Sequence, residues 1–369
     1  MKDYLQEYKV KLTALSPVFV GSGQEFSKKE YVFLPQKKIG VLDMDKLYSL
    51  ASHKAKRRQF EELMLDPRGN LGYWLDSQRL YEAATKDCIA YTLDTKGVEF
   101  QKGKTINVKS CIKDAYGKPY VPGSTLKGMF RSILATAEIL QNANLKGYAH
   151  ETLARGMANE RSGKNYLQRT TEGIEAKLFR TLNLDTKHPT DAVNDVLSGL
   201  IVSDSAPLDV SNLVPAQQIE YHKDGEEKSL PILRESLRPK TEINFTITVD
   251  EKKYPLTKEK LLKAITAFDE TYSDNFISAF RGIDRLHPPQ VFVGGGTGFV
   301  SKTLVYPIQG KNDGVDTTMK IFANTLSRKI QETHKHYKDK ADGISPRILK
   351  CTHYGGRTVL MGLCKIEIE

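Results

Sequence analysis

The sequence predicts an α+β protein with a β-α-β-β-α-β core, the ferredoxin-like (RRM-like) order, carrying large helical insertions and a C-terminal helix-strand extension. Three observations carry that expectation. Residues 241–250 alternate cleanly, with Ile243, Phe245, Ile247 and Val249 set against Glu242, Asn244, Thr246 and Thr248, as a half-buried strand requires. Leu126, Met129, Phe130, Ile133, Leu134, Ala137 and Leu140 recur at helical spacing behind a Pro122-Gly123 break. Dropping the insertions leaves strand (8–16), helix (125–141), strand (199–204), strand (241–250), helix (257–280) and strand (299–306), the order shared by RNA-recognition folds.

The first strand rests on Val10, Leu12 and Ala14 alternating with Lys9, Lys11 and Thr13; Pro17 interrupts it and Gly21-Ser22-Gly23 turns the chain out. A polar loop (24–29) leads to a hairpin of 31–34 with 38–42. Asp43 starts a helix reaching Leu50, and residues 54–84 read as charged helix, so 43–104 has the character of an insertion packed on one side. Extended structure returns at 105–112, and Asp114 to Pro119 form a turn. After the 125–141 helix, residues 141–169 are polar and weakly periodic, and a mobile loop is expected there. A helix is expected at 174–182 and a short strand at 200–205. Thr257 caps a helix through Leu261, Leu262, Ile265 and Phe268, and a glycine loop at 294–298 then feeds an extended piece. The tail offers a basic helix (317–338) and a strand near 359–368. The chain therefore divides into 1–42 (first strand and hairpin), 43–104 (helical insertion), 105–308 (remainder of the core) and 309–369 (C-terminal extension).

At 369 residues the chain exceeds one typical compact domain. Its formal charge of +10 and pI of about 9.1 favour an anionic partner, nucleic acid first. Neither a basic amphipathic helix nor a lipidation signal points to a membrane, and no apolar h-region or spanning run is evident, so a cytoplasmic location is expected. Cys88, Cys111, Cys351 and Cys364 lack CxxC spacing and read as buried reduced thiols.

Chemistry concentrates in two places. At 120–131, Ser124 or Thr125 can cap the helix, whose unpaired N–H groups and dipole suit a phosphate, with Lys127 and Arg131 adding charge. An ordinary capped helix with a solvated basic edge gives the same pattern. In the glycine loop, residues 296–303 miss a P-loop by Ser301 and by the strand that follows, and Phe299 breaks a dinucleotide fingerprint. What remains is a backbone that approaches another backbone or a polyphosphate chain closely, with Lys302 nearby, or else a plain flexible turn. Neither metal nor cofactor is expected. His334 and His336 stand at i, i+2, His353 lacks partners at zinc spacing, and Asp204, Asp250 and Asp284 sit singly at element ends as caps or turn residues. Hydrolase nucleophile signatures are not evident.

Pro122-Gly123-Ser124-Thr125-Leu126-Lys127-Gly128-Met129-Phe130-Arg131 resembles the PGSSLKGxxR motif of the RAMP superfamily of CRISPR proteins. Ser16-Pro17-Val18-Phe19-Val20-Gly21-Ser22-Gly23 looks like that superfamily's first-strand ending, Leu200-Ile201-Val202-Ser203-Asp204-Ser205 like its VSD strand, and residues 294–298 like its glycine-rich loop. The four signatures fall in family order. Within the superfamily the chain looks most like the fifth Csm subunits of type III-A effector complexes, through Gly21-Ser22-Gly23, Lys28-Lys29-Glu30-Tyr31, the glycine loop and the closing Met361-Gly362-Leu363-Cys364-Lys365-Ile366-Glu367-Ile368.

The resemblance implies a ferredoxin-like fold and a non-catalytic crRNA-binding subunit that caps the 3′-end side of the complex beside the repeated backbone subunit. It also implies support of crRNA 3′-end maturation through host nucleases, in antiviral defence. The expected RNA contacts are Gly21, Ser22, Gly23, Lys28, Lys29, Gly123, Ser124, Thr125, Lys127, Gly128, Arg131, Arg281, Gly294, Gly295, Gly296, Thr297, Gly298 and Lys302. The related backbone subunit cuts RNA with an aspartate after the first strand; here 24–30 holds Glu25 and Glu30 but no Asp. Guide-processing relatives use an early histidine, whereas the first one here is His53. A RAMP-family endoribonuclease with Glu25 as its candidate group is the alternative, and a nucleotide site on 296–303 is a third reading.

Overall fold

The computed structural model describes residues 3–98 and 107–369. The chain begins with β1 (Leu5–Ala14), β2 (Gly21–Phe26) and the hairpin of β3 (Tyr31–Leu34) and β4 (Lys38–Leu42). Four short helices follow, α1 (Met44–Leu50), α2 (Lys54–Leu65), α3 (Leu71–Ser77) and α4 (Tyr81–Asp87), before β5 (Ile89–Asp94) and β6 (Asn107–Cys111). The middle holds α5 (Gly123–Gln141), α6 (Ala143–Asn159), α7 (Gln168–Phe179), β7 (Leu200–Val202), β8 (Leu213–His222), β9 (Glu227–Leu237) and β10 (Glu242–Asp250). The last third comprises α8 (Lys258–Asn275), β11 (Gln290–Phe292), α9 (Val305–Thr325), α10 (Arg328–Thr333), α11 (Asp339–Asp342), β12 (Ile348–Tyr354), β13 (Arg357–Leu360) and β14 (Leu363–Ile368).

The core sheet runs β11-β14-β1-β10-β7, with antiparallel neighbours throughout. Its fourth, first, third and second strands thus lie side by side, with α5 and α8 as the two crossovers, which is the ferredoxin-like arrangement. Alternation in β10 buries Ile243, Phe245, Ile247 and Val249 on one face, where Val10 pairs with Phe245 and Leu12 with Ile243. The apolar stripe of α5 (Leu126, Phe130, Ile133, Leu134, Ala137) joins the same core, and α8 packs beside it. Thr257 caps α8 by accepting from the Lys260 amide at 3.3 Å, as its sequence signal predicts.

The closing strand of this pattern is β14, not residues 299–306. Those residues form a 3-10 turn (Val300–Lys302) and the start of α9. Val305, Tyr306, Pro307 and Ile308 are all buried, so the run has no period to separate helix from strand. Pro307 falls in the first turn of α9, where its missing N–H costs nothing. The expected basic helix at 317–338 is likewise shifted: α9 starts at Val305, kinks at Gly310 (φ 69°) and ends at Thr325.

Most of 141–169 is helical, not a mobile loop: α6 fills it to Asn159, and a turn at 160–167 leads into α7. Asn142 caps α6 by accepting from the amides of Asn144 and Leu145 (3.0 and 3.1 Å). The buried face of α6 is only Ala149, Leu153 and Gly156, too thin a stripe to read as periodic. Gly156 is where α7 presses in: a Cβ there would stand 1.9 Å from the Thr170 hydroxyl.

A second sheet, β13-β12-β8-β9-β6-β2, was not foreseen in its β8–β9 hairpin. Almost all of β8 is buried, including Gln217, Gln218 and Glu220, so it lacks the alternation that marks a strand. A third sheet, β3-β4-β5, is covered by α1–α4 around Leu47, Phe60, Leu71, Trp74 and Leu75. Glu235, fully buried, couples this block to the second sheet. It accepts from the Tyr91 hydroxyl (2.5 Å), the Cys111 amide (2.9 Å) and the Lys113 ammonium (2.6 Å). All four cysteines are buried free thiols. Among the described residues no helix is long and apolar enough to cross a membrane.

Candidate nucleic-acid interface

The start of α5 is built by two sequence motifs that lie far apart in the chain. Neither Ser124 nor Thr125 caps the helix; Pro122 holds the cap position. The first amide, Gly123 N–H, instead donates to the Asp204 carboxylate at 2.7 Å. Val121 and Ser205 exchange two further bonds at 2.9 Å, through the Ser205 hydroxyl and amide. Glycine is required at 123, since a Cβ would lie 2.4 Å from the Val202 carbonyl oxygen. The positive end of the helix therefore already holds a carboxylate. The expectation of a free terminus for phosphate is corrected: the open surface is the side of the first turns, where Ser124 and Gly128 are exposed.

The glycine loop makes the close approach its composition suggested, and its partner is backbone. Gly295 N–H donates to the Phe19 carbonyl at 2.7 Å, and Gly294 (φ 80°) would place a Cβ 2.1 Å from that same oxygen. Ser301, the residue that breaks the P-loop pattern, is buried and donates to the Thr297 carbonyl at 2.9 Å.

Helix α5 and this loop face each other across a cleft of about 430 Å³. It gathers Gly21, Ser124, Thr125, Gly128, Gly294, Gly295, Thr297 and Lys302 from the expected contacts and adds Ser132 and Ser301, with Met129, Ile133, Phe268 and Phe292 as apolar lining. A Cβ on Gly128 would meet nothing within 4 Å, so the helix presents bare backbone there. Ser132 continues the line of Ser124 and Gly128 at helical spacing; that periodicity was available in the sequence, but the motif stops at Arg131. Lys302 has no carboxylate partner among the described residues, and desolvation lowers its proton affinity.

The remaining expected contacts lie outside the cleft lining. Lys29 is buried, and its ammonium donates to the Met64 carbonyl at 2.8 Å, tying down the α1–α4 block. Arg131 is spent internally: it bonds Glu175 and Asp195, each at 2.8 Å, and lies 4.6 Å over the Phe179 ring. Lys127 is half-buried; desolvation lowers its proton affinity, Asp195 raises it and Arg131 lowers it. Ser22 and Gly23 occupy the exposed edge strand β2, with Lys28 just beyond it. Arg281 is exposed, and its carbonyl accepts from the Tyr221 hydroxyl at 2.5 Å. Gly296 packs against Met361 and Arg234, while Gly298 is open.

The candidate cutting groups are elsewhere too. Glu25 accepts from the Asn107 amide side chain at 3.1 Å, Glu30 caps the Ser27 amide at 2.8 Å, and His53 precedes α2. Two carboxylate–imidazole groups escaped the sequence reading, Asp185/His188/Asp191 and His222/Asp224/Glu226, each with ligand atoms within 4.8 Å. Neither borders the cleft. Their spacings are short and regular, i, i+3, i+6 in the first and i, i+2, i+4 in the second, so the signal that could have found them lies in the sequence itself.

A helix start seated on a VSD joint, facing a glycine loop across one cleft of a ferredoxin-like sheet, defines a class of protein. The profile of the RAMP superfamily matches residues 11–301, and the chain belongs to that superfamily. Among relatives it resembles the Csm5 proteins: 27% identity to that of Mycobacterium tuberculosis (strain ATCC 25618 / H37Rv) over 100% of this chain and 99% of the relative. The Csm5 protein of Streptococcus thermophilus is 28% identical, over 84% of this chain and 83% of its own length. Two solved structures share the fold. One is a chain of a Csm-crRNA-target RNA ternary complex of a type III-A CRISPR-Cas system, with TM-score 0.62, 17% identity and coverage of 98% of this chain and 100% of that one. The other is T. onnurineus Csm5, with TM-score 0.58, 18% identity and coverage of 96% and 99%.

Proposed function

We propose that this chain is a non-catalytic crRNA-binding subunit of a type III-A Csm effector complex. It sits on the 3′-end side of the guide beside the repeated backbone subunit. The observation that carries this reading is the convergence of Gly21, Ser124, Thr125, Gly128, Gly294, Gly295 and Thr297 on one cleft, together with Lys302, which has no carboxylate partner among the described residues. Hydroxyls, bare backbone and one desolvated ammonium recognise a phosphate chain without reading bases, as a complex serving many guides requires. The charge of +10 and the full-length likeness to proteins named Csm5 support the same partner. The lining holds neither carboxylate nor imidazole among the described residues, which supports binding over cutting. In the cytoplasm the subunit would hold the guide's 3′ portion while host nucleases trim the overhang.

The test is fluorescence anisotropy of the purified chain with several unrelated single-stranded RNAs across a salt series. The chain binds each with similar affinity, and Lys302→Ala weakens all of them alike, lowering the salt slope by about 0.7. A loss confined to one sequence would contradict the assignment.

A further inference from the structure

A second hollow adjoins the cleft, and the two share Ser132 and Lys302. It measures about 220 Å³ and opens where α5, α6, α7 and residues 299–308 meet. That falls below the ~300–1,000 Å³ of pockets for drug-sized ligands, so it suits one small ring system. Its walls are mostly aliphatic, with Ala135, Leu153 and Ile174 among them, and they carry two aromatic rings, Tyr166 and Phe299. Thr303 also belongs to the lining, and its hydroxyl is buried without a hydrogen-bond partner among the described residues.

We propose that this hollow receives one nucleobase, splayed out of the RNA strand whose phosphates follow the cleft. The inference rests on the RNA-binding reading above and adds a site to it. A base has apolar faces for aromatic and aliphatic walls and a polar edge for a hydroxyl. An aliphatic side chain or a lipid tail would leave Thr303 unpaired in a dry site, which is costly. Lys302, at the shared rim, meets the phosphate at the point where the strand passes the base inward. Arg131 also borders the hollow but is neutralised by Glu175 and Asp195, so the interior itself does not attract an anion.

The experiment is photocrosslinking of the full-length chain to a single-stranded oligouridine carrying 4-thiouracil bases, followed by peptide mapping. Crosslinks are expected on the peptides bearing Tyr166 and Phe299. Ala135→Leu, which fills the hollow, should cut their yield about tenfold while total RNA affinity changes by less than about threefold. Thr303→Val, nearly isosteric, gives the same direction of change should Ala135→Leu fail to fold. RNA bound with no crosslink at these residues, or with a yield indifferent to both substitutions, overturns the base site and leaves the cleft assignment standing. Absence of RNA binding by the wild-type chain overturns both.

Discussion

Asp269 is a carboxylate the fold would prefer uncharged. It is fully buried on α8, accepts from the Gln290 amide at 3.0 Å through one oxygen, and has no partner for the other. Burial pushes it up from 3.8 to about 7, against the opposing pull of the Gln290 amide. A raised native value means that the folded chain binds a proton more tightly than the unfolded one. Its contribution is therefore complete below about pH 4 and is lost as pH rises toward 7. Asp269→Asn should raise stability at pH 8 by on the order of 1–3 kcal/mol and give no advantage near pH 4, read from thermal unfolding across pH. Identical pH profiles would contradict this. Asp204 is the opposite case, a carboxylate placed where a helix wants one. Asp204→Ala should cost about 1–2 kcal/mol by the same measurement. That Asp204 would be a cap was legible from its strand-terminal place; which amide it caps was not, because Gly123 lies 81 positions away.

At the scale of elements, charge in sequence and charge at the site part company. Lys127 and Arg131 are i, i+4 on α5 and read as a phosphate-binding pair, yet Arg131 is held by two carboxylates from other elements. Arg131→Ala should therefore lower the melting temperature, through two stranded carboxylates, more than it lowers RNA affinity. Gly128→Leu should do the reverse. The side chain enters open space, so stability holds, while affinity for all single-stranded RNAs falls, by about tenfold if one backbone contact is lost. Anisotropy and thermal unfolding on the same two variants separate these outcomes. The strongly periodic elements, β1, β10, α5 and α8, were legible because one face of each is apolar and the other polar. Those that failed, β8, α6 and the start of α9, are buried on nearly every side or show too thin an apolar stripe. Their secondary structure is decided by neighbours such as Thr170 against Gly156, which no local pattern records.

For the whole molecule, a ferredoxin-like sheet supplies the rigid floor, and three sequence-distant segments are drawn to its edge. Phe19 from the β1–β2 connection is held to the glycine loop, and the start of α5 to the Asp204 joint, each through a close approach that only glycine permits. The α1–α4 block and its sheet β3-β4-β5 join this frame through the Glu235–Tyr91 bond and through Tyr31, Ile39, Val41 and Leu93, which enter the main core. This docking is expected to loosen in Glu235→Gln, with faster hydrogen exchange in residues 31–94 and little change in the core sheet. The measurement that bears most directly on the central claim uses the assembled complex. A tagged chain is co-expressed with the other Csm subunits and a guide array, and the co-purifying RNA is sequenced for the wild type and for a Gly128→Leu/Lys302→Ala variant that still folds. The account predicts guides of defined 3′ length with the wild type and their loss or 3′ lengthening with the variant. Guides recovered in equal amount and of equal length from both would contradict it.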